Sequence, residues 1–540
     1  MTRRSRAKAP VPPSTRQSTK KRYIGARAFN RRAQATRRRV THKRASKQTR
    51  PSLFLRAGEV VRRIPRAAWI CALIACLNAA CWSIVTPPFQ IPDEPSHFAY
   101  TQQLAENVRL PTSKKGTFSP EEEVVLRDIH QYEVQGSPEN RTISSAAEQR
   151  YLQEDVGRKL VRYGDGTAGG ASSSPPLYYL LETVPYGLAS AGTLLDQLEL
   201  MRLLSALMAG LTALFVFLFV RETLPAARWA WTVGGLGVAL APLLGFISGA
   251  VNPDSMLAAV SAAIFYCLAR AFRRGLTRKL AIVIGSMIAV GFLTKLNFIG
   301  LAPGIILGLL VLTARASRTY GPTAYRSLGL ALAIALAPVW LYILANLLSN
   351  HPGLGIISDT LKLGSANGSI FSKISYAWQL YFPRLPGMIN DFPGFSTARR
   401  LWFARSVGFY GWLDTSFPVW VDNGALLPAG MIALLCIRAL AIGRATLRKC
   451  YVEIIVYGAM GVGLLTLIGF SSYLNKGSEG LGFAEPRYLL PMLPLLGAGL
   501  VLAARGAGRR WGPTVGAAII VLFLAHDIFS ELLVVARYYG

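Results

Sequence analysis

Apolar residues in this chain fall in nearly unbroken blocks of about twenty residues, the length a helix needs to cross a hydrocarbon core of about 30 Å. Such blocks lie at 67–85, 201–220, 230–250, 255–272, 279–294, 297–313, 325–348, 425–442, 450–473, 487–505 and 512–532. A further apolar stretch, about 177–195, opens on Ser174-Pro175-Pro176, and whether it crosses sets the parity of everything after it. Polar stretches at 87–200 and 349–424 separate the blocks. The pattern predicts an all-α polytopic membrane protein, a bundle of about eleven transmembrane helices with a large first extracytoplasmic loop. Twelve helices is the alternative.

Charge chooses between the two. If 177–195 lies along the interface, the basic groups at Arg270–Lys279, Arg315–Arg326, Arg438–Lys449 and Arg505–Arg510 all fall on one side, which the positive-inside rule makes cytoplasmic. If it crosses, Asp196 and Glu199 would lie inside and Arg221 and Arg228 outside. The eleven-span topology therefore puts the N-terminus in the cytoplasm, the protein multi-pass in a plasma membrane, and 87–200 and 349–424 outside.

Composition agrees with a membrane chain, 52% apolar and 16% charged over 540 residues. The net charge of +31 raises nucleic acid as a partner, but 18 of the 59 basic residues lie within residues 1–50, which hold no acid. That segment, within a basic tail at 1–66, reads as a disordered cytoplasmic tail that binds anionic lipid. It has no interleaved aromatic platform, so no nucleic acid is expected. The transmembrane domain then runs 67–540. The polar stretch 87–200 carries 16 of the 28 carboxylates.

Six cysteines lie in or beside apolar blocks without CxxC spacing and read as packing residues. No HExxH, phosphate loop or nucleophile elbow in a fitting context occurs. What remains is Pro92-Asp93-Glu94-Pro95-Ser96-His97, directly after the first block, where two prolines stiffen a turn that carries paired carboxylates. Asn252-Pro253-Asp254, Lys295 with Asn297, and Glu485-Pro486-Arg487-Tyr488 fall at the same predicted end. Charges at lipid boundaries are costly and therefore functional candidates. Each also has a structural reading: Asp93, Glu94 and Asp254 as helix caps, Lys295 snorkelling to headgroups, Arg487 paired with Glu485, and Tyr178 and Tyr179 as interfacial aromatics.

The order Pro-Asp-Glu-Pro-x-x-His, Pro-Pro-Leu-Tyr-Tyr, Asn-Pro-Asp, Thr-Lys-Leu-Asn, Gly-Phe-Tyr-Gly-Trp and Glu-Pro-Arg-Tyr-Leu-Leu-Pro, over about 67–510, resembles a bacterial domain-of-unknown-function family of polytopic membrane proteins. More distantly it is similar to the GT-C glycosyltransferases, which include protein mannosyltransferases and lipid A aminoarabinose transferases. That resemblance implies a GT-C-like bundle, a polyprenyl-phosphate sugar donor, and an essential acid in the first outer loop. Asp93 takes that role, with Glu94 second, and Tyr178 lines the site. The basic residue that precedes Pro-Pro-Leu in the aminoarabinose transferases is missing here, which leaves Lys295 and Arg487 to hold phosphate.

The reading is thus a glycosyltransferase that moves a sugar to an envelope glycan, lipid or protein on the outer face. Asp93 and Glu94 are the catalytic pair, and His97, Tyr178, Asp254, Lys295 and Arg487 contact substrate. If transfer is metal-dependent, Asp93 and Glu94 are the ligands and Mg or Mn the ion. The rivals are a transporter or flippase of lipid-linked sugar, and a noncatalytic envelope-assembly protein.

Overall fold

Inside lipid only intrahelical hydrogen bonds satisfy a backbone, so every apolar block is expected to be a helix. The computed structural model describes residues 64–111, 116–142, 145–164, 167–349, 369–475 and 484–540. The basic tail lies outside the described residues as far as residue 63. Among the described residues nine helices are long and apolar enough to cross a membrane, and a pair bent by 51°, Arg228–Ala239 with Pro242–Ser248, makes a tenth. Pro242 opens the second piece of that pair, where a missing N–H costs nothing. The block expected at 279–294 forms helix Arg278–Thr294, which at 17 residues sits at the short end of what can cross. The count departs from the expected eleven at these two places.

The second span begins earlier than its apolar block. Thr193 and Asp196 form a reciprocal capping box that starts helix Leu194–Thr223, so Asp196 and Glu199 belong to a helix. The ambiguous stretch after Pro176 is helix Leu177–Leu188, of 12 residues. At about 1.5 Å per residue it is too short to cross.

Helix Leu194–Thr223 packs between Arg66–Val85 and Pro253–Arg274, and its buried Phe217 and Phe219 join Trp82, Phe265 and Leu268 in the core. Backbones approach closely where side chains are small: a Cβ on Gly234 would stand 2.7 Å from the carbonyl oxygen of Gly497, as in small-residue helix contacts within membranes.

The polar stretch after the first span folds into short helices, Glu94–Asn107, Pro120–Asp128, Ala146–Gly157 and Leu177–Leu188. Ser119 and Ser145 cap two of them through backbone N–H groups. From the later polar stretch comes a small antiparallel ladder, Phe409–Tyr410 with Thr415–Ser416. Gly411 turns it at φ 61°, where a Cβ would meet Asp414 and the Tyr538 hydroxyl. Next to it, Trp412 Nε1 donates to the Phe89 carbonyl at 3.0 Å, which fixes the ladder against the Pro92–Pro95 turn.

Candidate active site

The turn after the first span is held from below by one ion pair. Glu94 Oε1 and Oε2 accept from Arg202 Nε and Nη2 at 2.7 and 2.6 Å. Arg202 Nη1 donates to the Ser83 and Thr86 carbonyls at 2.8 and 3.0 Å, and Nη2 to that of Pro87 at 3.0 Å. All the guanidinium donors are used, and Glu94 also accepts the Val251 amide at 3.1 Å. The pair is buried, with side-chain exposures of 2% and 0%. A buried pair of this kind holds only when its remaining donors and acceptors are satisfied, and here they tie the first span, the turn and the second span together.

Asp93, next in sequence, points elsewhere. It occupies the N-cap position of helix Glu94–Asn107 at φ 69°, ψ −1°, yet makes no side-chain cap bond. Left-handed backbone costs a non-glycine residue about 1–2 kcal/mol, and the capping reading of its carboxylate fails. Arg487 Nη2 instead donates to Asp93 Oδ2 at 2.7 Å. The Asp93 side chain remains 51% exposed while that of Arg487 is 9% exposed. Burial pushes the Asp93 carboxyl up, but Arg487, with His97 and Lys295 also contributing, outweighs it and holds the group at about 2. Because His97 is itself uncharged at neutral pH, the two cations account for the effect there.

A second pair stands beside the first. Lys295 Nζ lies 2.7 Å from Asp254 Oδ1, turned inward rather than snorkelling. Asn252, not Asp254, caps the Pro253 helix, through a bond from the Asp254 amide at 3.0 Å. Tyr488 sits between the two cations, its ring centroid 5.6 Å from Lys295 Nζ and 5.3 Å from Arg487 Cζ. His97 Nδ1 is 2.9 Å from the Tyr179 hydroxyl, and Tyr100 stacks on Tyr179 at 3.7 Å. Burial lowers His97 to about 3, with the charges of Asp93, Lys295, Asp254 and Arg487 all acting on it.

Asp93, His97, Asp254, Lys295 and Arg487, drawn from four separate places in the sequence, therefore meet in one cluster. Its polar capacity is not used up. Apart from the Lys295 ammonium at Oδ1, the Asp254 oxygens have no hydrogen-bond donor, and Arg487 Nε and Nη1 are buried without an acceptor. Unpaired buried donors of this kind suit an anion with several oxygens.

Three expectations need correcting. Tyr178 does not face the cluster: its hydroxyl is 2.7 Å from Ser205 Oγ, between the Leu177 and Leu194 helices, and Tyr179 takes the place expected for it. Arg487 does not pair with Glu485, which is held by Arg405 at 2.5 Å. Glu94 is no catalytic partner or metal ligand, because both its oxygens are committed to Arg202. Without Glu94 the expected pair of ligands for Mg or Mn is reduced to Asp93, already paired with Arg487. The other carboxylate of the cluster, Asp254, is paired with Lys295, and among the described residues no group of three His, Cys, Asp or Glu side chains could hold an ion. A divalent ion does not fit here.

The sequence gives no signal for Arg202 or Arg405, and Tyr179 and Glu485, read from it only as an interfacial aromatic and a partner of Arg487, have a different place in the structure. Burial raises Glu485 to about 7 against the pull of Arg405 and Arg487. Sequence reasoning further missed an acid within the last span, Asp527, whose Oδ1 accepts from Trp82 Nε1 at 3.1 Å. The signal for Asp527 was present, an ionisable residue inside an apolar block.

The sequence profile of a family described as "Predicted membrane protein (DUF2142)" matches residues 76–496, and the chain belongs to that family. No curated protein matches it. Among solved structures, an oligosaccharyltransferase from Archaeoglobus fulgidus, crystallised with a tethered acceptor peptide containing the NVT sequon, matches at 13% identity and a TM-score of 0.37. The match covers 88% of this chain and 55% of that one, so this chain spans about half its length.

Proposed function

We propose that this DUF2142 protein is an integral membrane glycosyltransferase that moves a sugar from a polyprenyl-phosphate donor to an envelope glycan, lipid or protein. The observation that carries the reading is Arg487, buried beside Asp93 with Nε and Nη1 lacking acceptors. A guanidinium with spare donors, next to an inward lysine and a half-exposed carboxylate, matches a phosphate leaving group departing as an acceptor loses its proton. The order of sequence motifs, similar to that of GT-C enzymes, supports the same reading. Basic loops at the opposite end of the bundle support an extracytoplasmic site in the inner membrane, with the N-terminus in the cytoplasm.

In this reading the acceptor oxygen attacks the anomeric carbon, the bond from that carbon to the phosphate oxygen breaks, and its electron pair leaves with the polyprenyl phosphate. The acceptor proton passes to Asp93 Oδ1, the oxygen not engaged by Arg487. Arg487 and Lys295 neutralise the departing phosphate. A carboxylate held at about 2 is a weak base. A donor phosphate that draws Arg487 to itself strengthens it, so donor binding and base activation are coupled. Glu94 and Arg202 hold the turn. His97 and Tyr179 form its uncharged wall.

Binding of farnesyl phosphate to the purified full-length protein tests the phosphate assignment. Arg487→Ala and Lys295→Ala should each weaken binding at least tenfold while Asp93→Asn does not weaken it. Equal binding by all four proteins would remove the assignment. A transporter of lipid-linked sugar is the second reading, and the buried Asp527 in the last span favours it. Flipping lost in Asp527→Asn, with no covalent product in the wild type, would select it.

A further inference from the structure

Far from this cluster, the Pro253 helix ends at Arg274 and the next helix begins at Arg278. At about 1.5 Å per residue, the 22 residues of the first put that turn at the other end of the bundle from Asp254. A cavity of about 710 Å³ opens there, lined by Arg274, Thr277, Arg278, Thr323, Arg326 and Ser327, with Leu276 and Leu330 among its apolar walls. The size is that of a small-molecule site.

Its charge is strongly one-sided. Among the described residues Glu222 is the one carboxylate in an ion pair with these arginines, shared among Arg270, Arg273 and Arg274 at 3.8, 3.2 and 2.9 Å. Arg278 and Arg326 are exposed and have no ion pair among the described residues. Two helices, Arg278–Thr294 and Thr323–Leu348, point their N-termini at this region, and the second starts at Pro322, which offers no capping side chain. Both dipoles add to the attraction for an anion. Beyond the polar rim the same two helices expose apolar residues, Ile282 and Val283 on one, Leu332 and Leu336 on the other. An anion that fits has an apolar tail.

We propose that this cavity holds the phosphate headgroup of an anionic glycerophospholipid from the adjacent leaflet, its acyl chains lying along Ile282, Val283, Leu332 and Leu336. Arg278 and Arg326 grip the phosphate, Thr277, Thr323 and Ser327 supply hydroxyls, and the bound lipid fastens the turn whose two helices carry Asp254 and Lys295 at their other ends. The site is independent of the glycosyltransferase reading.

The test is native mass spectrometry of the full-length protein from micelles doped with phosphatidylglycerol or phosphatidylcholine. Wild type should retain phosphatidylglycerol at least tenfold over phosphatidylcholine. The double variant Arg278→Ala/Arg326→Ala should lose that preference, and a control at another basic loop of the same end, Arg444→Ala/Arg448→Ala, should keep it. Equal retention by wild type and the first double variant, or equal loss in the control, overturns the site. Millimolar inorganic phosphate that displaces phosphatidylglycerol completely overturns the lipid as the ligand. Melting temperature measured beside it shows that each variant is folded.

Discussion

Arg487 Nη2 and Asp93 Oδ2 stand 2.7 Å apart although the residues are 394 positions apart in the chain. The pairing leaves one carboxylate oxygen and two guanidinium nitrogens for other work. If Asp93 is the base, Asp93→Asn should lower transfer by about 10²–10⁴-fold while the protein stays folded with only a modest drop in melting temperature, because Arg487 loses a charged partner that is itself half-exposed. Transfer assays alongside thermal unfolding check both halves. A folded Asp93→Asn protein with wild-type rates would remove the base.

Glu94 should behave in the opposite way. Its pair with Arg202 is buried and multiply bonded, so Glu94→Gln removes one partner from a buried ion pair, a loss of about 3–5 kcal/mol. Unfolding in detergent should show a marked drop in stability. A Glu94→Gln protein as stable as wild type but inactive would return Glu94 to the chemistry.

Lys295 and Asp254 separate binding from stability. Lys295→Met alone removes the ion-pair partner of the buried Asp254 carboxylate and should destabilise the protein as well as weaken farnesyl phosphate binding. Adding Asp254→Asn should restore the melting temperature without restoring binding. Recovery of both would make the pair purely structural.

His97 gives stability a pH dependence of known sign. The unfolded histidine takes a proton as pH falls through 6.5, whereas burial holds the folded one to about 3. The stability it contributes is complete above 6.5 and is lost between 6.5 and 3. Glu485 acts in the other direction: its folded value of about 7 against an ordinary 4.5 means its contribution is lost as pH rises from 4.5 through 7. His97→Gln should therefore lose less melting temperature than wild type between pH 6.5 and 4.5. Parallel curves would place His97 in contact with water.

Residue type and position in the apolar pattern made much of this legible. Spans were readable from apolar runs because lipid imposes one solution on the backbone, and Asp93, Asp254, Lys295 and Arg487 stood out as charges at the ends of those runs. Side-chain direction was not readable. Tyr178 and Tyr179 have the same chemistry, and only the pitch of a 12-residue helix decides which meets His97. Adjacent Asp93 and Glu94 likewise looked like one unit. The left-handed backbone at Asp93 and the partner Arg202, 108 residues from Glu94, turn them apart, and neither can be seen in a local motif. Asp527 is overlooked for another reason: with Glu531 it lies in an apolar block whose mean hydropathy the two acids barely change.

The central claim is that Asp93 acts in a transfer reaction, and extracted envelope glycans and polyprenyl-linked sugars, compared by mass spectrometry, test it most directly. The comparison needs cells with wild-type protein, a deletion, and Asp93→Asn at matched expression. The account predicts that one sugar disappears from the envelope and its lipid-linked donor accumulates, equally in the deletion and in Asp93→Asn. Envelope glycans that change in the deletion but stay normal in Asp93→Asn would contradict it.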